Sequence, residues 1–109
     1  MACFAVELFV QGRGWRRWSE VTGEGLLFSS PEEAMDAAAS LIFSSMSSSS
    51  HPYGSREGDV VGFRVRPAGE GDCSERPATE PTVRFREVAH RFFKRGDAYV
   101  LYKTWSWPD

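Results

Sequence analysis

Two short stretches alternate apolar side chains with arginine: Phe63-Arg64-Val65-Arg66 and Val83-Arg84-Phe85-Arg86. A third, Phe4 to Val10, places Phe4, Val6, Leu8 and Val10 on one side and Ala5, Glu7 and Phe9 on the other. Successive side chains of a β-strand point to opposite faces, so a period of two separates a buried face from a wet one. A chain written this way is directed toward an antiparallel sheet with one covered face and one solvated face. If the two arginine stretches are strands of one sheet, Val61, Phe63, Val65, Val83 and Phe85 point inward. Arg64, Arg66, Arg84 and Arg86 then share the outer surface.

The rest of the chain supplies the other parts of that sheet. Residues 3–11 read as the first strand, "QGRG" (11–14) as a hairpin loop and "WRRWSEV" as the returning second strand. "TGEG" (22–25) is a turn, and Leu26-Leu27-Phe28 a short apolar bridge. Ser30-Pro31-Glu32-Glu33 then combines an N-cap, a proline at the first helical position and a glutamate able to close a capping box. Ala34, Ala37, Ala38, Leu41, Ile42 and Ser45 follow at helical spacing, with Glu33, Asp36 and Ser40 on the outer face, and the helix is expected to end near Met46. Its small alanines imply close approach to the sheet.

Asp59–Arg66 is the third strand, and Val83 and Phe85 open the fourth. Residues 88–97 are compatible with a helical turn through Val88, Phe92 and Phe93 or with a strand running to a hairpin at Lys94-Arg95-Gly96-Asp97. The hairpin is preferred, because "AYVLYKTW" favours β structure and Gly96 sits where a turn needs it. The expected fold is α+β, in the order ββαβββ: an antiparallel sheet of four to five strands with one helix packed on one face. The serine-rich stretch 44–58 and the acidic, proline-containing stretch 67–81 are expected to be flexible loops within one domain spanning 1–109. A chain of 109 residues buries enough surface to fold without staples.

Charge narrows the function classes. The net charge of −2 argues against a dedicated nucleic-acid coat and against a polyanion mimic. Its distribution is uneven. Ser19 to Ser55 holds no Lys or Arg but five acids, whereas Thr82 to Lys103 holds Arg84, Arg86, Arg91, Lys94, Arg95 and Lys103 against Glu87 and Asp97. Such two-sidedness can steer association with a partner. Eleven of the thirteen basic residues are arginine. A GC-rich gene would give that bias; so would an interface, because arginine binds carboxylates and phosphates through two N–H groups and stacks on aromatics.

The candidate binding surface is therefore Arg64, Arg66, Arg84 and Arg86, with Arg16 or Arg17 and Tyr102 nearby, and Trp107 as an exposed anchor near Pro108. Arginines interleaved with aromatics suit single-stranded nucleic acid. The competing reading is a wet face paired with its own glutamates. "VVGFRVR" resembles the glycine-aromatic strand of RNA-recognition modules, but Arg64 and Arg66 stand where those modules place stacking aromatics. Trp15, Trp18 and Trp105 read either as interface anchors or as edge packing of a small core. Arg95-Gly96-Asp97 spells an adhesion tripeptide and reads as a hairpin turn.

Nothing in the sequence spells catalysis, and no cofactor is expected. Cys3, Cys73, His51 and His90 match no metal-ligand spacing, and no nucleophile elbow accompanies them. The two cysteines are expected to be reduced in a cytoplasmic setting. "MACFAVELFV" lacks the basic start of a signal peptide, and no apolar run is long enough to suggest a membrane partner.

With "FAVELFV", a hairpin, the "SSPEEAMDAAASL" helix and a further meander, the chain resembles the small stand-alone proteins of phages and mobile elements, among them the anti-CRISPR proteins. The resemblance lies in organisation and covers residues 3–66 best, so it transfers no residue role. It implies a non-catalytic inhibitor or adaptor that covers a surface of a larger protein or nucleoprotein. Direct nucleic-acid binding is the second expectation and a small enzyme the third. A homodimer is the further alternative if Ala5, Phe9, Val60 and Val100 form an exposed second apolar face.

Overall fold

The alternation of residues 3–11 becomes β1 (Ala2–Val10), which runs antiparallel to β2 (Gly14–Arg17) on one side and β3 (Val60–Glu70) on the other. The structure is a computed structural model and describes residues 2–46, 57–70, 73 and 83–101. Trp105, Trp107, Tyr102, His51 and most of the two expected loops lie outside the described residues. β4 (Phe92–Arg95) and β5 (Ala98–Leu101) form the expected hairpin through Gly96-Asp97, and β5 pairs with β3. Gly96 has φ +64°, a conformation that side-chain-bearing residues rarely adopt. The result is an α+β fold with a five-stranded antiparallel sheet ordered β2-β1-β3-β5-β4.

Two of the expected strands turn out to be partly or wholly helical, and for one shared reason. The chain leaves β2 after Arg17 and enters α1 (Trp18–Thr22), where the Glu20 carboxylate accepts the Arg17 N–H at 3.2 Å. Gly23 ends that helix at φ +80°, donating to the Ser19 carbonyl at 2.9 Å. Val83-Arg84-Phe85-Arg86, expected to be strand, instead leads into α3 (Phe85–Val88), where Glu87 accepts the Arg84 N–H at 3.2 Å. In both places an Arg-x-x-Glu sequence caps a helical turn and overrides a short alternating pattern. A 3-10 turn, Ala89–Arg91, then delivers the chain to β4.

The main helix, α2 (Pro31–Met46), starts and ends where the sequence places it. Ser30 Oγ accepts the Glu33 N–H at 3.2 Å, while the Glu33 carboxylate reaches the Ser29 N–H at 3.3 Å and its hydroxyl at 2.5 Å. Ala34, Ala37, Ala38 and Ile42 are buried in one cluster with Val6, Leu8, Val61 and Phe63. Asp36 and Ser40, expected to face out, carry α3 instead. Asp36 accepts the Phe85 N–H at 2.8 Å and an Arg84 N–H at 3.3 Å. Ser40 Oγ donates to the Val83 carbonyl at 2.8 Å and accepts the Val83 N–H at 3.1 Å.

Phe85 thus points inward as expected, though from a helical turn. Its ring lies 5.5 Å from Phe63, 5.6 Å from Phe92 and 4.9 Å from Tyr99. β3 runs past Arg66 through Pro67 to Glu70, because β1 is long enough to pair with it there. β5 begins only at Ala98, opposite Arg64, so Pro67 lies beyond it on an edge that needs no N–H.

Candidate functional site

The strand register brings four arginines to the sheet face away from α2. Residues directly opposite in an antiparallel pair share a face, so one row across the sheet reads Arg17, Glu7, Arg64, Ala98, Arg95. The neighbouring row reads Trp15, Phe9, Gly62, Val100, Phe93, and Ala5 faces Arg66 one step further on. The face therefore carries Arg17, Arg64, Arg66 and Arg95 against the carboxylates of Glu7 and, from the β4–β5 turn, Asp97.

Two of these arginines, Arg64 and Arg66, are held in defined positions. Arg64 Nε donates to Glu7 Oε1 at 2.6 Å, and the Arg64 guanidinium carbon lies 4.2 Å from the centre of the Trp15 ring. Trp15 in turn packs on Phe9 at 5.3 Å, giving a stack three side chains deep. A cation over an indole contributes about 0.5–2 kcal/mol, more as water is excluded. At 22% side-chain exposure Arg64 is more enclosed than Arg17, Arg66 or Arg84. Arg66 bridges two carboxylates, with Nε 3.4 Å from Glu7 and 3.4 Å from Asp97. Arg17 is the most open, 82% exposed and 3.8 Å from Glu20. Exposed pairs of this kind contribute at most about 1 kcal/mol, so Arg17 can exchange partners at little cost.

Not every expected site residue is on this face. Arg64 and Arg66 share it as expected, and Arg17 joins them. Arg16 is opposite Leu8 and so belongs to the other face, its guanidinium turned back to the Trp15 carbonyl at 3.2 Å. Arg84 and Arg86 belong to the α3 region on the helical side, because the capped turn removes them from the sheet; Arg84 pairs with Asp36 at 3.3 Å and Arg86 is exposed. Trp107 lies outside the described residues. Glu7, Arg95 and Phe93 were not singled out from sequence. The alternation Ala5-Glu7-Phe9 marks Glu7 as facing the wet side, but its part in anchoring two arginines needs the β1–β3 register.

Trp15 and Trp18 are edge packing, half-buried on Phe9 and Phe28 respectively. The second apolar face that would have favoured a homodimer is not exposed: Phe9, Val60 and Val100 are buried within the chain. Phe93, at 47% exposure, is the open aromatic of that row.

Cys3 and Cys73, expected as reduced thiols, form a disulfide with Cα atoms 5.5 Å apart. A disulfide sulfur is not a thiolate, so the Cys–His nucleophile considered from sequence has no nucleophile while the bond stands. His90 is exposed in the 3-10 turn, and His51 is outside the described residues. Among the described residues no three His, Cys, Asp or Glu side chains are grouped to hold a metal. Nor is any helix among them long and apolar enough to cross a membrane. Comparison with protein-family models, curated proteins and solved structures gives no significant match.

Proposed function

We propose that this chain is a non-catalytic binding protein that lays its arginine-bearing sheet face on an acidic surface of a larger protein or nucleoprotein. In this it would act as an inhibitor or adaptor of the phage type, like the anti-CRISPR proteins it resembles. The observation that carries the reading is the row Arg17–Glu7–Arg64–Ala98–Arg95 with its stacked Trp15. Arg64 and Arg66 are held by Glu7, Asp97 and Trp15, so these cations, already in position, lose little freedom on meeting a partner. Direct nucleic-acid binding is the weaker reading, because the Trp15 ring is already covered by Arg64 and is not free to stack on a base. A cytoplasmic site of action goes with the proposal. The Cys3–Cys73 bond counts against it, since reducing compartments keep most thiols reduced.

The test is a tagged pull-down from bacterial lysate, run with and without nuclease, using the parent chain and the double variant Arg17→Ser/Arg95→Ser. These two positions are chosen because charge reversal at Arg64 or Arg84 would set a carboxylate against Glu7 or Asp36 and disturb folding. The proposal expects a discrete protein complex that survives nuclease and is lost in the variant. A complex that disappears with nuclease moves the face to nucleic acid, and one indifferent to the variant removes the face from the interaction.

A further inference from the structure

A groove of about 500 Å³ opens beside the arginine face, where the outer edge of β1 is left uncovered. At Phe4 that edge is closed by Phe28, which exchanges two backbone hydrogen bonds of 2.8 Å with it. From Glu7 onward it is closed by β2. Between these closures lie Ala5 and Val6, with no strand alongside among the described residues, because the chain turns into α1 at Trp18 and returns through Gly25 to Leu27. Trp18, Leu26 and Leu27 form the apolar walls, Ala5 and Val6 the floor, and Arg17 and Arg66 the charged rim.

We propose that this groove receives one large apolar side chain, aromatic to match the Trp18 wall, carried on an extended acidic segment of a protein partner. The proposal rests on the reading that the arginine face meets an acidic surface, and it names the part of the partner that fixes the register. An open edge only two residues long cannot pair with an added strand, so recognition falls to a side chain in the groove. The volume lies within the usual range for an apolar binding site, and Ala5 is a small side chain in its lining.

Charge selects the neighbours of that side chain. Glu7 is the one carboxylate in the lining; Arg64 at 2.6 Å and Arg66 at 3.4 Å engage it, and Arg17, 82% exposed and 3.8 Å from Glu20, is the rim cation that can turn to a partner. Acidic residues flanking the anchor fit this rim, whereas basic ones are repelled.

The experiment is an amide-proton NMR titration of the ¹⁵N-labelled protein with three capped tripeptides: acetyl-Glu-Trp-Glu-amide, acetyl-Glu-Gly-Glu-amide and acetyl-Lys-Trp-Lys-amide. The expected result is saturable shifts at Ala5, Ser19, Gly25, Leu26 and Leu27, and at the Trp18 indole N–H, with Glu-Trp-Glu. The other two should bind there at least tenfold more weakly. Ala5→Leu should fill the floor and remove the response; Leu27→Glu, read in parallel, keeps the test open if Ala5→Leu fails to fold. Equal response to all three peptides, or a response that persists in both folded variants, overturns the groove proposal. Equally tight binding of free indole-3-acetate also overturns it, by making the groove a small-molecule site. If both acidic peptides shift Arg64 and Arg95 while the groove signals stay still, the acidic-partner reading stands and the groove proposal falls. If neither acidic peptide shifts anything, both fall.

Discussion

Gly62 sets how closely β5 can approach β3 beneath the arginine face. A Cβ built there would lie 2.8 Å from the Tyr99 carbonyl oxygen and 3.1 Å from a Val100 methyl, and a backbone oxygen in a paired strand cannot move aside. Gly62→Ala is therefore expected to lower stability by about 1–3 kcal/mol, the usual cost of overpacking. Urea unfolding measures it, and an unchanged midpoint would mean that β5 lies further from β3 than described. Arg64 makes a different point. Lysine keeps the charge but loses the planar contact with Trp15 and the Nε donor that reaches Glu7. Arg64→Lys should red-shift the Trp15 fluorescence as the ring becomes wetter and cost about 1 kcal/mol, of the order of a partly exposed cation–π contact. An emission spectrum identical to the parent in a background where Trp18, Trp105 and Trp107 are all phenylalanine would remove Arg64 from the stack. The sequence shows that Arg64 and Arg66 face outward. It does not show that Glu7 binds both, because that follows from a register between residues 57 positions apart.

Among the elements, α2, β1, β3 and the β4–β5 hairpin are legible in the sequence because each carries several independent signals. The cap, the proline and the alanine stripe agree on α2, and the glycine and β-favouring run agree on the hairpin. The stretches that misled are those with one weak signal. Val83-Arg84-Phe85-Arg86 alternates for only four residues, a length at which strand and helical turn look alike, and Glu87 decides the matter by capping the Arg84 N–H. The same Arg-x-x-Glu spacing at Arg17 and Glu20 converts the end of the expected second strand into α1. Asp36 and Ser40 look like solvent-facing residues of α2 because both are polar, yet their i,i+4 spacing makes one stripe that docks the start of α3. Asp36→Ala is expected to cost about 2 kcal/mol, since it leaves the Phe85 N–H without this acceptor and removes the Asp36 carboxylate from Arg84. Hydrogen exchange should show the loss concentrated at residues 83–91. Uniform loss over the sheet would instead mean that α3 is not a separately docked unit.

At the scale of the whole molecule, one covalent bond joins the start of β1 to the segment after β3. No spacing rule could find it, because Cys3 and Cys73 are 70 residues apart. They meet because the β1–β3 ladder is long: Ala2 pairs with Glu70 and Phe4 with Pro67, so Cys3 lies where β3 ends and Cys73 follows three residues on. The Cys73 sulfur also lies 3.5 Å from the Ala2 carbonyl, beside the same strand end. Closing a loop of this length restricts the unfolded chain, and the chain-entropy account gives about 4 kcal/mol of stabilisation. A domain of 109 residues has a total stability of about 5–15 kcal/mol, and the cluster around Leu8, Phe28, Ile42 and Phe63 is complete without the bond. Reduction should therefore weaken the fold without abolishing it. Urea unfolding with and without reductant, alongside Cys3→Ser/Cys73→Ser, should show the same lowered midpoint for the reduced chain and the double variant. Ion pairs of the arginine face at Glu7 and Asp97 should persist in both, because Ala5 to Arg66 pairing lies inside the ladder rather than at its stapled end. A midpoint indifferent to reductant would leave the bond with no part in stability, and collapse of the reduced chain would show that the sheet and α2 cannot hold their register without it.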